Sequence, residues 1–373
     1  MREQSSNNFE PELRKQFSNR DCASTNRSNA KFQTQSSMKR AYYLFNPGRM
    51  SRKDHSLVFR KEVSEDGPAA PPKYLPVETV SALYIFGSID ANSALYNYLG
   101  RKHVPVHFFD YHGHYTGSFS PREYLLAGRM VVAQSKAYLN GKRRMEIARK
   151  LVRSSMFNMR RVLKYYDGRQ CTLTPQIEAL EQLRAQAEET ATVSELMGTE
   201  GNSRLNYYSA FDHIVEDFAW EGRRKRPPQN ELNALVSFGN SMCYVACLDA
   251  IYNSQLNPTI SYLHEPGERR YSLALDISEI FKPILVDRLI FRLCNRRILR
   301  AQHFDHLDRA CFLSPVGRKL FLEHWEAQLK KTIKHRSLNQ QVSYRHLLRL
   351  ECYKLAKYLL GMETSYEPFR AWW

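Results

Sequence analysis

The spacing of apolar residues changes character once along the chain, near Pro121, and that change restricts the fold more than any other feature of the sequence. From Ala41 to about Ser118, aromatic and β-branched residues come in short clusters broken by Pro and Gly: YYLFN, HSLVF, KYLPVETV, ALYIFG and VPVHFFDY. Runs of this composition between turn residues predict strands. One interruption, Asn92 to Leu99, reads as a short helix. Beyond Glu123 the spacing lengthens to helical periods, as at Leu151, Met156 and Met159 among largely basic neighbours. Strands and helices are thus segregated, which predicts an α+β chain with a small sheet domain ahead of a larger helical one and a junction around Pro121.

Ahead of both lie residues 1–37, rich in Ser, Asn, Gln and Arg and without apolar periodicity, which predicts a disordered polar extension. An alternative is that Met38 is the natural start; N-terminal sequencing that begins at Met1 would exclude it. Within the helical part, Thr174 followed by Pro175 marks a helix start, and Ile177, Leu180 and Leu183 mark its apolar face. Thr192 and Glu195 have the capping-box spacing, so Glu200 and Arg204 fall on or beside a helix entering the run YYSAF.

Lys and Arg number 55 against 38 Asp and Glu, a formal net charge of +17. A surface of this kind favours a polyanion, either nucleic acid or an anionic membrane. No stretch approaches the roughly 20 apolar residues of a spanning helix, and the N-terminus has no signal-peptide core. The expectation is therefore a soluble, cytoplasmic protein without a membrane partner. The seven cysteines show neither a paired framework nor CxxC zinc spacing. Cys243 and Cys247, four apart in an apolar stretch, read as core thiols, and every cysteine as reduced and structural.

Three places carry acids or a histidine where burial is expensive. Glu200 sits in GTEGNSRLNYYSAF, and either pairs with Arg204 one helical turn on or faces a cation. His264, before the turn Glu-Pro-Gly, is either a hydrogen-bonded turn histidine or a ligand. Asp276 and Glu279 share a helical face in an apolar segment, so they pair with Arg269, Arg270 or Arg288, or bind a cation. Basic runs at Lys142–Arg153, Arg223–Pro228, Asn295–Arg300 and Lys330–Arg336, with 22 tyrosines, favour phosphate-backbone binding with some stacking over a merely solvated surface. Arg204, Arg223, Arg224, Lys225, Arg226, Arg296 and Arg297 are the candidate DNA contacts. No Walker loop, zinc finger or dinucleotide fingerprint is present.

In order along the chain, YYLFNPGRMSRKDHSLVF, ALYIFGSIDANSALYNYLGRKHVPVHFFDYHGHYTGSF, EGNSR, RRKRPPQNELNALVSFGN, SYLHEPGERRYSLALDISEIFKPILVDRLIF and LECYKLAKYLLG resemble the CRISPR-associated endonuclease/integrase family, the larger of the two universal adaptation proteins. The likeness runs from about Met38 to Trp373, and the tail PFRAWW looks like the type I-B branch. The resemblance implies a β-sandwich dimerisation domain over 38–120 and an all-helical catalytic and DNA-binding domain over 121–373. It implies a homodimer, a small companion adaptation subunit, and in some systems an end-trimming nuclease of the Cas4-like type. By motif, the family's metal-binding Glu and His fall on Glu200 and His264, and its third acid on Glu279, with Asp276 as a supporting acid or alternate ligand. Asn233 and Ser237 match polar positions that face the site.

Two carboxylates and an imidazole suit Mn2+ or Mg2+. The implied activity joins spacer DNA to repeat DNA by attack of a 3'-hydroxyl on a phosphodiester; with water as nucleophile the same site cuts DNA. The competing readings are a stand-alone branched-DNA nuclease and a non-catalytic DNA-binding scaffold.

Overall fold

The structure, a computed structural model, describes residues 39–62, 70–121, 127–169, 171–267 and 271–372. The polar extension expected over 1–37 lies outside them, as do Arg269 and Arg270. The chain forms two compact units, one of residues up to 108 with 117–122, the other of 109–116 with 123–373.

The first unit is built from the short clusters read as strands. β1 (Arg40–Leu44), β5 (Val80–Ile85), β7 (Val106–Phe109) and β8 (Tyr115–Phe119) form one four-stranded sheet in the order β1-β5-β7-β8. β4 (Lys73–Pro76), β3 (Ser56–Lys61), β2 (Gly48–Lys53) and β6 (Ile89–Asp90) form the other, in that order. β5 lies parallel to both β1 and β7, and such a central strand is buried on both faces. Leu83 and Ile85 accordingly share a core with Met50, Leu57 and Phe59 of the second sheet. On the opposite face Tyr84 stacks on Tyr43 at 4.7 Å and leans on His107 at 4.9 Å. Helix α1 (Ser93–Arg101) starts where Asn92 accepts a hydrogen bond from the Leu95 amide, and it adds Leu95, Tyr98 and Leu99 to the shared core.

The second unit is mainly helical. α2 (Gly128–Leu139), α3 (Gly141–Tyr166), α4 (Thr174–Glu189), α5 (Val193–Ser209), α6 (Phe211–Ile214) and α7 (Glu231–Tyr252) come first. Then follow α8 (Ser272–Lys282), a π-turn over Pro283–Asp287, and α9 (Arg288–Asn295). The expectation of an α+β chain with segregated strands and helices holds. The helical part nevertheless carries two small hairpins, β9–β10 (Phe304–Leu307 and Ala310–Leu313) and β11–β12 (Thr332–Lys334 and Gln341–Ser343), around α10 (Pro315–Lys330) and before α11 (Tyr344–Leu359). These strands are only three or four residues long, too short to show a period in the sequence.

Capping follows the sequence closely. Thr192 accepts from the Glu195 amide at 3.2 Å, and Glu195 reaches back to the Ala191 amide at 2.9 Å, one residue ahead of the ideal box. Residues 109–116, expected on the sheet side of the Pro121 junction, belong with the helical unit: His112 stacks on Phe312 at 4.1 Å, and Arg318 donates to the Tyr111 carbonyl.

Helix α7 departs from one expectation. By length and composition it is apolar enough to cross a membrane, yet 72% of its most apolar stretch is buried. It packs against α8, α11 and the π-turn. Gly239 makes the last contact possible, because a Cβ there would come within 2.5 Å of Val286.

Candidate active site

The π-turn sets the local chemistry. Pro283 has no N–H, so the Glu279 carbonyl four residues earlier loses its helical donor. Ser155 of α3 replaces it at 2.9 Å, with Arg204 Nη2 at 3.3 Å. The next carbonyl, Ile280, accepts from Asn158 Nδ2 at 2.9 Å. Asn158 also binds the Phe369 carbonyl and the Ala371 amide, so the C-terminal tail braces the same segment. The end of α8 is thereby tied to α3 and α5.

On this frame four charged side chains meet. Glu200 accepts from Arg204 Nε at 2.9 Å, the pair expected along α5. Arg204 continues to the Glu279 carboxylate, whose other oxygen holds Lys282. All three members of the Arg204–Glu279–Lys282 chain are buried to within about a tenth to an eighth of their side-chain surface, at 11%, 10% and 13% exposed. Burial pushes the Glu279 carboxyl up, but Arg204 and Lys282 outweigh it and hold the pKa down to about 2. At nearby Asp287 burial outweighs the pull of the same Arg204 and Lys282 and lifts the carboxyl to about 7.

Asp276, one turn before Glu279, does different work. Its fully buried carboxylate accepts the backbone amides of Tyr262, Leu263 and His264 at 2.7, 3.0 and 3.0 Å, and His264 Nδ1 at 2.8 Å. All its capacity is committed to the loop that presents the histidine. Burial lowers the His264 pKa, but the hydrogen bond and charge of Asp276 more than reverse this, and the net shift is upward. With Nδ1 donating to Asp276, the neutral ring keeps its lone pair on Nε2, and a quarter of the side chain is exposed. Glu279 lies close enough for its charge to act on the imidazole.

Two carboxylates and one accessible imidazole nitrogen are a donor set that fits a hard to borderline divalent ion. In this structure the carboxylates are neutralised by Arg204 and Lys282.

The same order of elements recurs in known proteins. Residues 42–327 match the family model described as CRISPR associated protein Cas1. A relative named CRISPR-associated endonuclease Cas1 3, from Thermodesulfovibrio yellowstonii, is 44% identical over 336 residues, covering 90% of this chain and all of its own. The chain belongs to the Cas1 family. The solved Cas1 structure from Thermotoga maritima, 41% identical, aligns with a TM-score of 0.78 over 86% of this chain and 97% of its own. A casposase bound to integration product is 19% identical, with a TM-score of 0.77 over 88% and 93%, and shares the fold. Family membership bears out the expectation of a CRISPR adaptation enzyme of the nuclease and integrase class.

Within this Cas1-family chain several expected contacts move. Arg204, expected to touch DNA, is buried with its guanidinium paired to both Glu200 and Glu279. Asn233 and Ser237, expected to face the site, instead grip Arg223: Asn233 Oδ1 accepts its Nη1 at 2.8 Å and the Arg224 amide at 2.9 Å, and Ser237 Oγ accepts its Nη2 at 3.1 Å. That grip leaves Arg224, Lys225 and Arg226 on the exposed part of the loop. Lys225 feels Glu279, Glu200 and Lys282, and partial burial together with Arg223 and Lys282 holds its ammonium pKa down. Arg296 and Arg297 lie exposed beyond α9, where Arg297 pairs with Asp217 at 3.5 Å. The basic run on α3 is largely structural, since Arg144 and Arg149 donate to the backbone carbonyls of Tyr262 and Thr190.

Sequence reasoning missed Lys282, Ser155, Asn158 and Asp287. Only Lys282, three residues from Glu279 on one helix, left a spacing signal. It also missed a second group: among the described residues, the place where three His, Cys, Asp or Glu ligand atoms come within 4.8 Å of one another is Glu231, His306 and Cys311.

Proposed function

We propose that this protein is a metal-dependent endonuclease and integrase acting on double-stranded DNA, with Glu200, His264 and Glu279 as ligands of a divalent ion, Mn2+ or Mg2+. The observation that carries the reading is the division of labour between the two acids of α8. Asp276 spends both oxygens on the His264 loop, whereas Glu279 is held only by cations that an ion could displace. Asp276 is then a positioning residue that fixes the His264 tautomer, and Glu279 the ligand.

A bound ion of this class supplies Lewis-acid stabilisation of charge developing on a phosphodiester. The chain's own groups do the rest. Arg224, Lys225 and Arg226, presented by a loop that Asn233 and Ser237 hold through Arg223, attract the backbone phosphates. Lys225 and Lys282 add positive charge beside the acids, where a scissile phosphate would lie. A 3'-hydroxyl as nucleophile gives strand joining; water gives cleavage. Joining spacer fragments into repeat DNA calls for paired sites, so we place a homodimer built through the sheet unit and a small companion adaptation subunit with it, in the prokaryotic cytoplasm. A Cas4-like nuclease as end-trimmer belongs to the same reading.

The test uses the purified chain with its companion subunit, Mn2+, a short duplex with free 3' ends and a supercoiled plasmid carrying the repeat. Joined products that need the free 3' end and vanish in His264→Ala support the integrase. Cleavage without joining would replace it with the stand-alone nuclease. Bound, unreacted DNA in both proteins would leave a scaffold.

A further inference from the structure

The group outside the active site, Glu231, His306 and Cys311, assembles from elements whose registers are fixed independently. β9 and β10 are joined by the two-residue turn Asp308–Arg309, with Asp308 at a positive φ of 49°. Such a turn locks the pairing and sets His306 directly opposite Cys311, with side chains on one face. The Cys311 amide donates to the Pro228 carbonyl at 2.8 Å, which ties β10 to the segment just ahead of α7. Asn230 caps that helix by accepting from the Asn233 amide at 2.9 Å, so Glu231 in its first turn has a set position. The result brings Glu231 Oε1 to 3.2 Å from His306 Nε2, and Nε2 to 3.9 Å from Cys311 Sγ.

We propose that Glu231, His306 and Cys311 form a second, zinc-class metal site, with the fourth position open to solvent on the His306 side. The donor types and spacings both point this way. A thiolate, an imidazole and a carboxylate are the mix that selects zinc over magnesium or manganese. Tetrahedral zinc, with ligands at roughly 2.0 Å for N and O and roughly 2.3 Å for S, separates its donors by about 3.3 Å (N to O) and about 3.5 Å (N to S). The N-to-O distance in the protein is within about a tenth of an ångström of this value, the N-to-S distance is about 0.4 Å longer, and all three donors lie within 4.8 Å of one another. The imidazole side chain is 55% exposed while Cys311 is buried, so an ion would enter past the histidine and close down on the sulfur. Binding replaces the thiol S–H by an S–metal bond and releases that proton to solvent, with no change of oxidation state. Burial pushes the thiol pKa up to about 12, so without metal Cys311 stays a protonated thiol rather than a nucleophile.

The alternative for these three residues is a surface Glu–His ion pair beside a buried thiol. It differs from a metal site in having no use for the sulfur. The proposed site would staple the hairpin to the start of α7, and through the Pro228 carbonyl to the end of the loop bearing Arg224, Lys225 and Arg226. Its occupancy would steady DNA binding without supplying chemistry, and it stands whether or not the active-site reading does.

The experiment strips the full-length chain with chelator, then titrates it with Zn2+ and, as a spectroscopic probe, Co2+. The expected result is one tightly held Zn2+ that survives gel filtration in wild type and in His264→Ala. It is lost from Cys311→Ser and from His306→Ala, the latter an exposed position that spares the core if the serine variant folds poorly. Co2+ should give the near-ultraviolet thiolate-to-metal band in wild type and not in Cys311→Ser. Equal zinc content in wild type and both variants, or a cobalt spectrum without the thiolate band, would overturn the proposal.

Discussion

Among the described residues of the helical unit, two groupings of Glu and His differ in what surrounds them. Around Glu200, His264 and Glu279 the neighbours are cations and backbone amides: Arg204 and Lys282 neutralise the acids, and Asp276 aims the histidine. Glu231 and His306 instead pair with each other, and the third donor is a thiol. Residue type alone therefore does not say which ion a cluster would take. The first set is oxygen-rich and pre-compensated by positive charge, which suits an ion that comes and goes with a phosphate substrate. The second is soft and self-contained, which suits a structural ion.

The comparison breaks most sharply at the ligands. Glu279→Ala, Glu200→Ala or His264→Ala should lower strand joining and cleavage by about 10²-fold or more while DNA binding at fixed salt stays near wild type; gel-shift and product assays on the same preparations check both halves. The same products from Cys311→Ser should be barely reduced.

Next in size is Arg204→Met, which removes the guanidinium shared by buried Glu279 and half-buried Glu200 and leaves Glu279 with Lys282 alone. It should destabilise the fold by about 3–5 kcal/mol in denaturant unfolding. Added Mn2+ should recover part of that loss, because the ion replaces the missing charge. A variant as stable as wild type without metal would show that Arg204 is not what compensates Glu279.

Asp276→Asn tests the positioning role. Metal affinity should fall by about 10–100-fold. Its pH dependence should also move. In wild type the proton on His264 competes with the ion up to a pH above that of an ordinary histidine, since Asp276 raises the imidazole pKa. Removing the negative charge leaves burial and Lys282 opposed only by Glu279, so the midpoint of Mn2+ binding should shift to lower pH. Calorimetric titrations across the neutral range measure both effects; an unmoved midpoint would contradict the assignment.

The smallest expected effect is at the loop. Lys225→Ala should weaken binding to all DNA sequences alike and reduce the slope of log affinity against log salt by about 1. A sequence-selective loss would assign Lys225 to base readout instead.

Much of the scaffold was legible because its signals are local. The clusters around Tyr42, Leu57 and Leu83 became strands, and the Thr192–Glu195 cap and the Glu200–Arg204 pair formed as their spacing predicts. What escaped depends on distant partners. β2 (GRMSRK) is mostly polar and reads as loop until β3 pairs with it. The bond from Arg204 to Glu279 spans 75 residues, and the grip of Asn233 on Arg223 depends on a loop folding back over α7. Cys311 has no zinc spacing along the chain and so reads as merely structural, whereas the groups beside it come from across a hairpin turn and from a helix 80 residues away.

The central claim is that Glu200, His264 and Glu279 are the centre for the catalytic ion, and Mn2+ binding followed by electron paramagnetic resonance tests it most directly. Wild type and Cys311→Ser should each hold one Mn2+, and His264→Ala and Glu279→Ala, folded by circular dichroism, should hold none. Undiminished Mn2+ binding in the last two, or its loss in Cys311→Ser alone, would contradict the account.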